Sequence, residues 1–360
     1  MQYRLGRREF LMGAASAALL SQVRGVSAAE GNLDLLKGDG DIILCSWGGG
    51  YEEVMKTAWF EPFLETSGIS VSTTGVPDLA KLRVMNQVNN IEWDIIDTEG
   101  AQMYRGMQED LFEKIDYDLL FKIVPKEELI PELLTEYGVG SVSFSTVIIW
   151  NTDKIKEGPK NWVEFFDTDR FKGRRALYAQ PKPALEIALM AAGVPKDKVY
   201  PMNVDEAFAA LDKIGDKVDL WVEKTSQWSV LMDNREVDLM GGNLARAYAK
   251  KQAGDPFDYH FNESINEQSY WTIPKGAPGA EKAQKLLAYM MRAEGQTAFV
   301  SKLPYGVANK TIYDNLSKEM ADQLPSSPQN IDLALRINAQ WWIENGDAVQ
   351  PRWLDWISKR

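Results

Sequence analysis

At 360 residues, with 45% hydrophobic and 26% charged positions and a single cysteine, Cys45, the chain is long enough for two globular lobes and has no internal disulfide to hold them. Its net charge of −12 argues against nucleic acid and against anionic lipid as partners. One histidine, His260, lies far along the chain from Cys45, so Ser-His-Asp triads, Cys-His pairs and zinc sites with several histidines are poorly supplied.

Arg7 and Arg8 precede a short apolar run at 11–20 and a small-residue segment at 26–29, which is the order of an export leader. The run is too short to span a bilayer, and the paired arginines look like a twin-arginine signal with Gly6 where Ser or Thr is usual. A signal peptide over 1–28 is expected, cleaved after Ala28 or Ala29, with no lipid-bearing cysteine behind it. Losing its four arginines and one glutamate takes the net charge from −12 to −15.

The mature chain opens on IILCSWGGGYEE at 42–53, where a strand suited to burial on both faces ends in Trp47, three glycines and the start of a helix. In open α/β sheets small molecules bind beyond the carboxyl ends of the strands, which is where Trp47 and Gly48 fall. Glu52 and Glu53 already occupy the positive end of that helix and the Gly-Lys-Ser/Thr ending is missing, so a phosphate loop is not indicated. A second strand at 69–73, a helix at 78–87, a third parallel strand at 93–97 and a helix at 103–112 follow. Extended chain over 141–151 reads as a crossing into a second lobe. That lobe is expected to carry helices at 162–167, 184–192, 204–214 and 228–233, and strands at 171–178, 218–222 and 237–242. Residues 269–273 carry the chain back, and helices at 280–293, 331–344 and 353–359 close it. The expected lobes are 38–140 with 270–312, and 141–269 with 313–360.

Ser46-Trp47-Gly48-Gly49, Trp93-Asp94-Ile95, Tyr137-Gly138-Val139-Gly140, the Phe-Lys-Gly-Arg-Arg-Ala run at 171–176, Arg235–Leu239, Trp271–Pro278, Leu303–Asn309 and Trp341-Trp342 occur in an order and spacing that resemble one family. It is the family-1 solute-binding proteins of bacterial ABC importers, which include spermidine- and putrescine-binding proteins, and the resemblance spans nearly the whole mature chain. It implies an α/β, type II-like periplasmic binding protein fold, with two lobes joined by crossing strands and a ligand cleft between them. It also implies a periplasmic monomer that hands a small organic solute to an ABC permease in the inner membrane, with no catalysis, cofactor or metal.

Carried over residue by residue, Trp47 and Tyr305 fall where the polyamine binders place cleft residues. Gln180 and Pro183 stand where two of their carboxylates would be, Asn243 replaces a stacking tryptophan, and Glu267 and Ser269 replace a tryptophan–aspartate pair. Glu99 and Glu267 introduce carboxylates elsewhere that suit one cationic group, and Arg246, just beyond Gly241-Gly242, is placed either for a local salt bridge or for a ligand carboxylate. The expected solute is a small amine-bearing compound with one cationic group, or with an amine and an acid. An uncharged sugar is the alternative, and glycoside hydrolysis by a carboxylate pair, which needs neither His nor Cys, the remote one. Trp59, Trp150, Trp162, Trp221, Trp353 and Trp356 sit inside helix or strand patterns and are expected in cores.

Overall fold

The computed structural model describes residues 32–360, so the leader expected at 1–28 lies outside the described residues. Ten strands, β1 (Asp41–Cys45), β2 (Ser70–Thr74), β3 (Ile95–Glu99), β4 (Leu134–Thr135), β5 (Gly138–Asn151), β6 (Arg175–Tyr178), β7 (Leu220–Val222), β8 (Leu239–Asn243), β9 (Phe257–Thr272) and β10 (Leu335–Arg336), form one sheet. Its order is β2-β1-β3-β9-β5-β8-β6-β7, with β4 added on β5 and β10 on β9. Pairing is parallel among β1, β2 and β3 and among β6, β7 and β8. The long strands β5 and β9 run antiparallel to each other and join the two parallel sets, β9 on β3 and β5 on β8.

Each set is covered by helices, as parallel strands buried on both faces require. One core gathers Leu44, Trp59, Phe63, Trp93, Trp271 and Phe299, and a second gathers Trp162, Leu177, Leu185, Leu211, Trp353 and Trp356. The six tryptophans expected in cores are buried there, Trp221 partly so. Tyr313, Leu316 and Leu324 pack on the first core, so that core reaches past the boundary expected at 312.

Several elements differ from expectation for identifiable reasons. β3 begins at Ile95 rather than at 93, because the Asp94 carboxylate accepts the backbone N–H groups of Ile43 (2.8 Å) and Gly279 (2.6 Å) and so ties a loop instead of extending the ladder. The return crossing is the whole of β9, not 269–273, its first half built on Phe257, Tyr259 and Phe261 buried in alternation with Asp258, His260 and Asn262. The helix expected at 280–293 is two, Ala280–Met290 and Ala293–Val300, parted at Arg292, whose backbone is extended. In place of two closing helices there is β10 and then one helix, Ala339–Ile357, with Pro351 inside it. Asn338 caps it by accepting from Trp341 N–H at 2.9 Å, and the buried row Trp341, Trp342, Val349, Trp353 and Trp356 offsets the helical hydrogen bond that proline gives up.

Candidate solute-binding site

Three groups of side chains meet where the carboxyl ends of the strands face each other across β5 and β9. The first lies beyond β1. There the chain turns through Gly48 (φ 76°) and Gly49 (φ 63°), angles that only glycine adopts freely, into the helix Gly49–Met55. Glu52 holds the turn, accepting Gly48 N–H at 3.1 Å and the Thr73 hydroxyl at 2.8 Å, and is therefore not free for a ligand. Trp47 is left 37% exposed beside this turn. Tyr51 sits edge-on to Tyr305 with centroids 5.8 Å apart and donates its hydroxyl to Asp97 Oδ2 at 2.8 Å, while Ser141 donates to Oδ1 at 2.6 Å. Asp97 is fully buried, and burial raises its carboxyl to about 6 against the pull of Ser141, Tyr51 and Trp47.

The second group comes from the other half of the sheet. Tyr178, at the end of β6, packs edge-on against Trp228 (5.1 Å), and burial pushes its phenol up. Arg246 stands in the first turn of the helix Leu244–Gln252 beyond β8. Lys250 and Lys251 of that helix pair with Asp233, Asp255 and Asp258, whereas Arg246 is exposed and takes part in no ion pair among the described residues. Its charge draws both Tyr178 and Tyr305 down, while Asp97 pushes Tyr305 up; burial dominates and leaves the Tyr305 phenol at about 12. One phenol thus feels a cation from one half of the molecule and a buried carboxylate from the other. The cation and the carboxylate themselves are not paired.

The third group joins Glu99 and Glu267, both expected at the site, to a residue of the other half. Glu99 and Glu267 do come together, but as the two partners of Lys182, whose ammonium is in short contact with Glu267 and 3.8 Å from Glu99. Burial raises the Glu99 carboxyl against the opposing effect of Lys182, and the two carboxylates hold the Lys182 ammonium charged against its own burial. Both glutamates thus share one cation supplied by the chain itself. Next to this triad is a cavity of about 470 Å³, lined by Tyr104, Tyr270, Gln268, Asn338, Gln340 and Trp342 together with Lys182 and Glu267.

The remaining expected positions are occupied otherwise. Asn243 caps the helix Leu244–Gln252, its Oδ1 accepting from Arg246 N–H at 3.2 Å. Gln180 is exposed at the start of the helix Pro181–Ala191, and Ser269 is buried in register with Glu99 between β9 and β3. Reading by residue missed Tyr51, Asp97, Tyr178 and Lys182. For Asp97 a signal was present: it lies two residues before Glu99 on one strand, so both point to the same side. Among the described residues no cluster of three or more His, Cys, Asp or Glu is arranged to hold a metal, and no helix is long and apolar enough to cross a membrane.

Residues 58–326 match the family model described as bacterial extracellular solute-binding protein. The gamma-aminobutyric acid-binding protein of Pseudomonas aeruginosa is 27% identical over 326 residues, covering 88% of this chain and 91% of its own. Two solved structures share the fold closely. The Atu4243 GABA receptor is 30% identical with a TM-score of 0.80, covering 89% of this chain and 98% of its own. The binding protein AgtB of A. tumefaciens R10, in complex with agropinic acid, is 31% identical with a TM-score of 0.76, covering 89% and 99%. With its two helix-covered halves joined by β5 and β9 and a family match over most of its length, the chain belongs to the bacterial extracellular solute-binding proteins, the substrate-capturing components of ABC importers.

Proposed function

We propose that the solute captured for the permease is a small molecule carrying both an amine and an acid group. The observation that carries this reading is Arg246, unpaired among the described residues and acting on two phenols, Tyr178 and Tyr305, the second of which also feels the buried Asp97. A guanidinium recognises a carboxylate through two parallel hydrogen bonds, and the amino end of the helix Leu244–Gln252 adds to the attraction for an anion. At the other end the rings of Trp47 and Tyr305, backed by Asp97, give an ammonium aromatic faces and a negative field. That two similar proteins are named for γ-aminobutyric acid supports the same charge arrangement here. The lobes divide, in this reading, at the crossings of β5 and β9, with the chain returning to the second lobe after Leu324, and the protein acts as a monomer exported by the leader at 1–28.

Calorimetric titration with 4-aminobutanoate, butylamine, butanoate and glucose tests it. The two-ended compound should bind, and each one-ended analogue should bind at least about tenfold more weakly. Arg246→Gln should remove about 1.5–3 kcal/mol of charge-assisted hydrogen bonding, roughly 10- to 150-fold in Kd, with little change in stability because the side chain is exposed. Equal binding of butylamine and 4-aminobutanoate, or tight binding of glucose, would overturn the assignment.

A further inference from the structure

We propose that Lys182 is a built-in counter-ion that sets the charge of the acceptable solute: its ammonium occupies, between Glu99 and Glu267, the place a second ligand ammonium would take, and so excludes diamines. The inference rests on the cleft described above and adds to it a residue that determines specificity. Glu99 ends β3 and Glu267 lies on β9, while Lys182 opens a helix of the other half, so the three charges converge from separate elements. The lysine side chain is 20% exposed and that of Glu267 13%, while Glu99 at the rim is 37% exposed, so it is the Lys182–Glu267 pair that water screens least. Two like charges held this close repel each other, and a cation between them is required. The chain supplies that cation itself. The triad then carries one net negative charge instead of two, and the position between the two carboxylates is already filled by a cation that a second ligand ammonium would have to displace. A further carboxylate acting on Lys182, Glu186, is fully buried and bonded to both Trp342 and Tyr200. A compound with two ammonium groups therefore finds an anionic wall near Trp47 and a cation at Lys182. One with a single ammonium and an acid meets no such conflict. Specificity here is produced by a repulsive element as much as by contacts.

Removing the lysine side chain should convert exclusion into binding. The full mature chain, Lys182→Gln, Lys182→Arg and the double variant Lys182→Gln with Glu267→Gln are titrated with 1,4-diaminobutane and with 4-aminobutanoate, with circular dichroism reporting the fold. Lys182→Gln should bind the diamine at least about tenfold more tightly than the wild-type chain does. Lys182→Arg, which keeps the counter-ion, should not gain, and the double variant should lose the gain. Where Lys182→Gln lowers the melting temperature, 1,4-diaminobutane should restore it and sodium chloride at equal ionic strength should not. A folded Lys182→Gln with no improved diamine binding, an unstable one that the diamine does not rescue, or a wild-type chain that already binds the diamine as tightly as 4-aminobutanoate would each overturn the proposal. Failure of 4-aminobutanoate to bind the wild-type chain, with the diamine gain intact, would instead remove the amine-and-acid reading and leave the role of Lys182 standing.

Discussion

Glu186 allows a prediction with a definite sign. Its side chain is fully buried in the helix Pro181–Ala191, with one oxygen accepting from Tyr200 (2.5 Å) and from the Trp342 indole (2.9 Å), and the other oxygen has no partner among the described residues. Burial outweighs these donors and lifts the carboxyl from 4.5 to about 7. Between those two values the folded chain keeps a proton that the unfolded chain has lost, so the stability this group contributes is present below 4.5 and is lost as pH rises to about 7. The size of the loss is about 3 kcal/mol, taking about 1.4 kcal/mol for each pH unit between the two values. Glu186→Gln keeps an acceptor for Tyr200 and Trp342 and removes the titration. The stability of the variant relative to wild type should therefore climb by up to about 3 kcal/mol from acid to weakly alkaline pH. Urea unfolding followed by tryptophan fluorescence at a series of pH values across that range measures the difference directly. Other titrating groups are common to both proteins and cancel. An offset between variant and wild type that stays constant with pH would refute the reasoning.

Two further outcomes follow from packing and from the contacts between the halves. A methyl added at Gly106, in the helix Gly100–Gln108, would stand 2.2 Å from Phe112 Cε2, and Phe112 is 1% exposed. Gly106→Ala should cost about 1–3 kcal/mol by overpacking, despite the better helix propensity of alanine, and Phe112→Leu should recover part of it; a melting temperature at or above wild type would contradict this. The ion pair Arg105–Asp347 (3.2 Å) and the Lys182–Glu99 contact (3.8 Å) span the two halves, so contacts that close the cleft are present to be strengthened by ligand. Small-angle scattering should record a smaller radius of gyration at saturating 4-aminobutanoate than without it, and an unchanged profile would speak for a rigid pair of lobes.

What could be read from the sequence was what depends on local pattern. The apolar run at β1, the glycine turn after Trp47, the helix Val204–Gly215 and the strand β8 with Gly241-Gly242 each carry their signal within a few residues. The alternation of Phe257, Tyr259 and Phe261 with polar residues is an equally local signal and marks the first half of β9. The site was less legible because its members are brought together by tertiary contacts. Lys182, set between Pro181 and Pro183, reads as a loop residue, and nothing near it in sequence announces partners at Glu99 and Glu267. Glu99 and Glu267 stand out in the sequence as carboxylates at strand positions, and the charge that neutralises them comes from a third element. Arg246 was left between a surface salt bridge and a ligand contact, a choice that turns on the absence of a carboxylate beside it among the described residues and so needs coordinates.

The two long strands have a thermodynamic consequence. β5 and β9 are hydrogen-bonded to each other from Val139 and Trp271 at one end to Asn151 and Phe257 at the other, and each contributes residues to the hydrophobic clusters of both halves, including a third around Val147, Trp228 and Phe257. Neither half can melt without stripping one side from strands that the other half needs. A molecule whose described residues form three hydrophobic clusters is in this way tied into one cooperative unit, and heating should give a single calorimetric transition whose van't Hoff enthalpy equals the measured one.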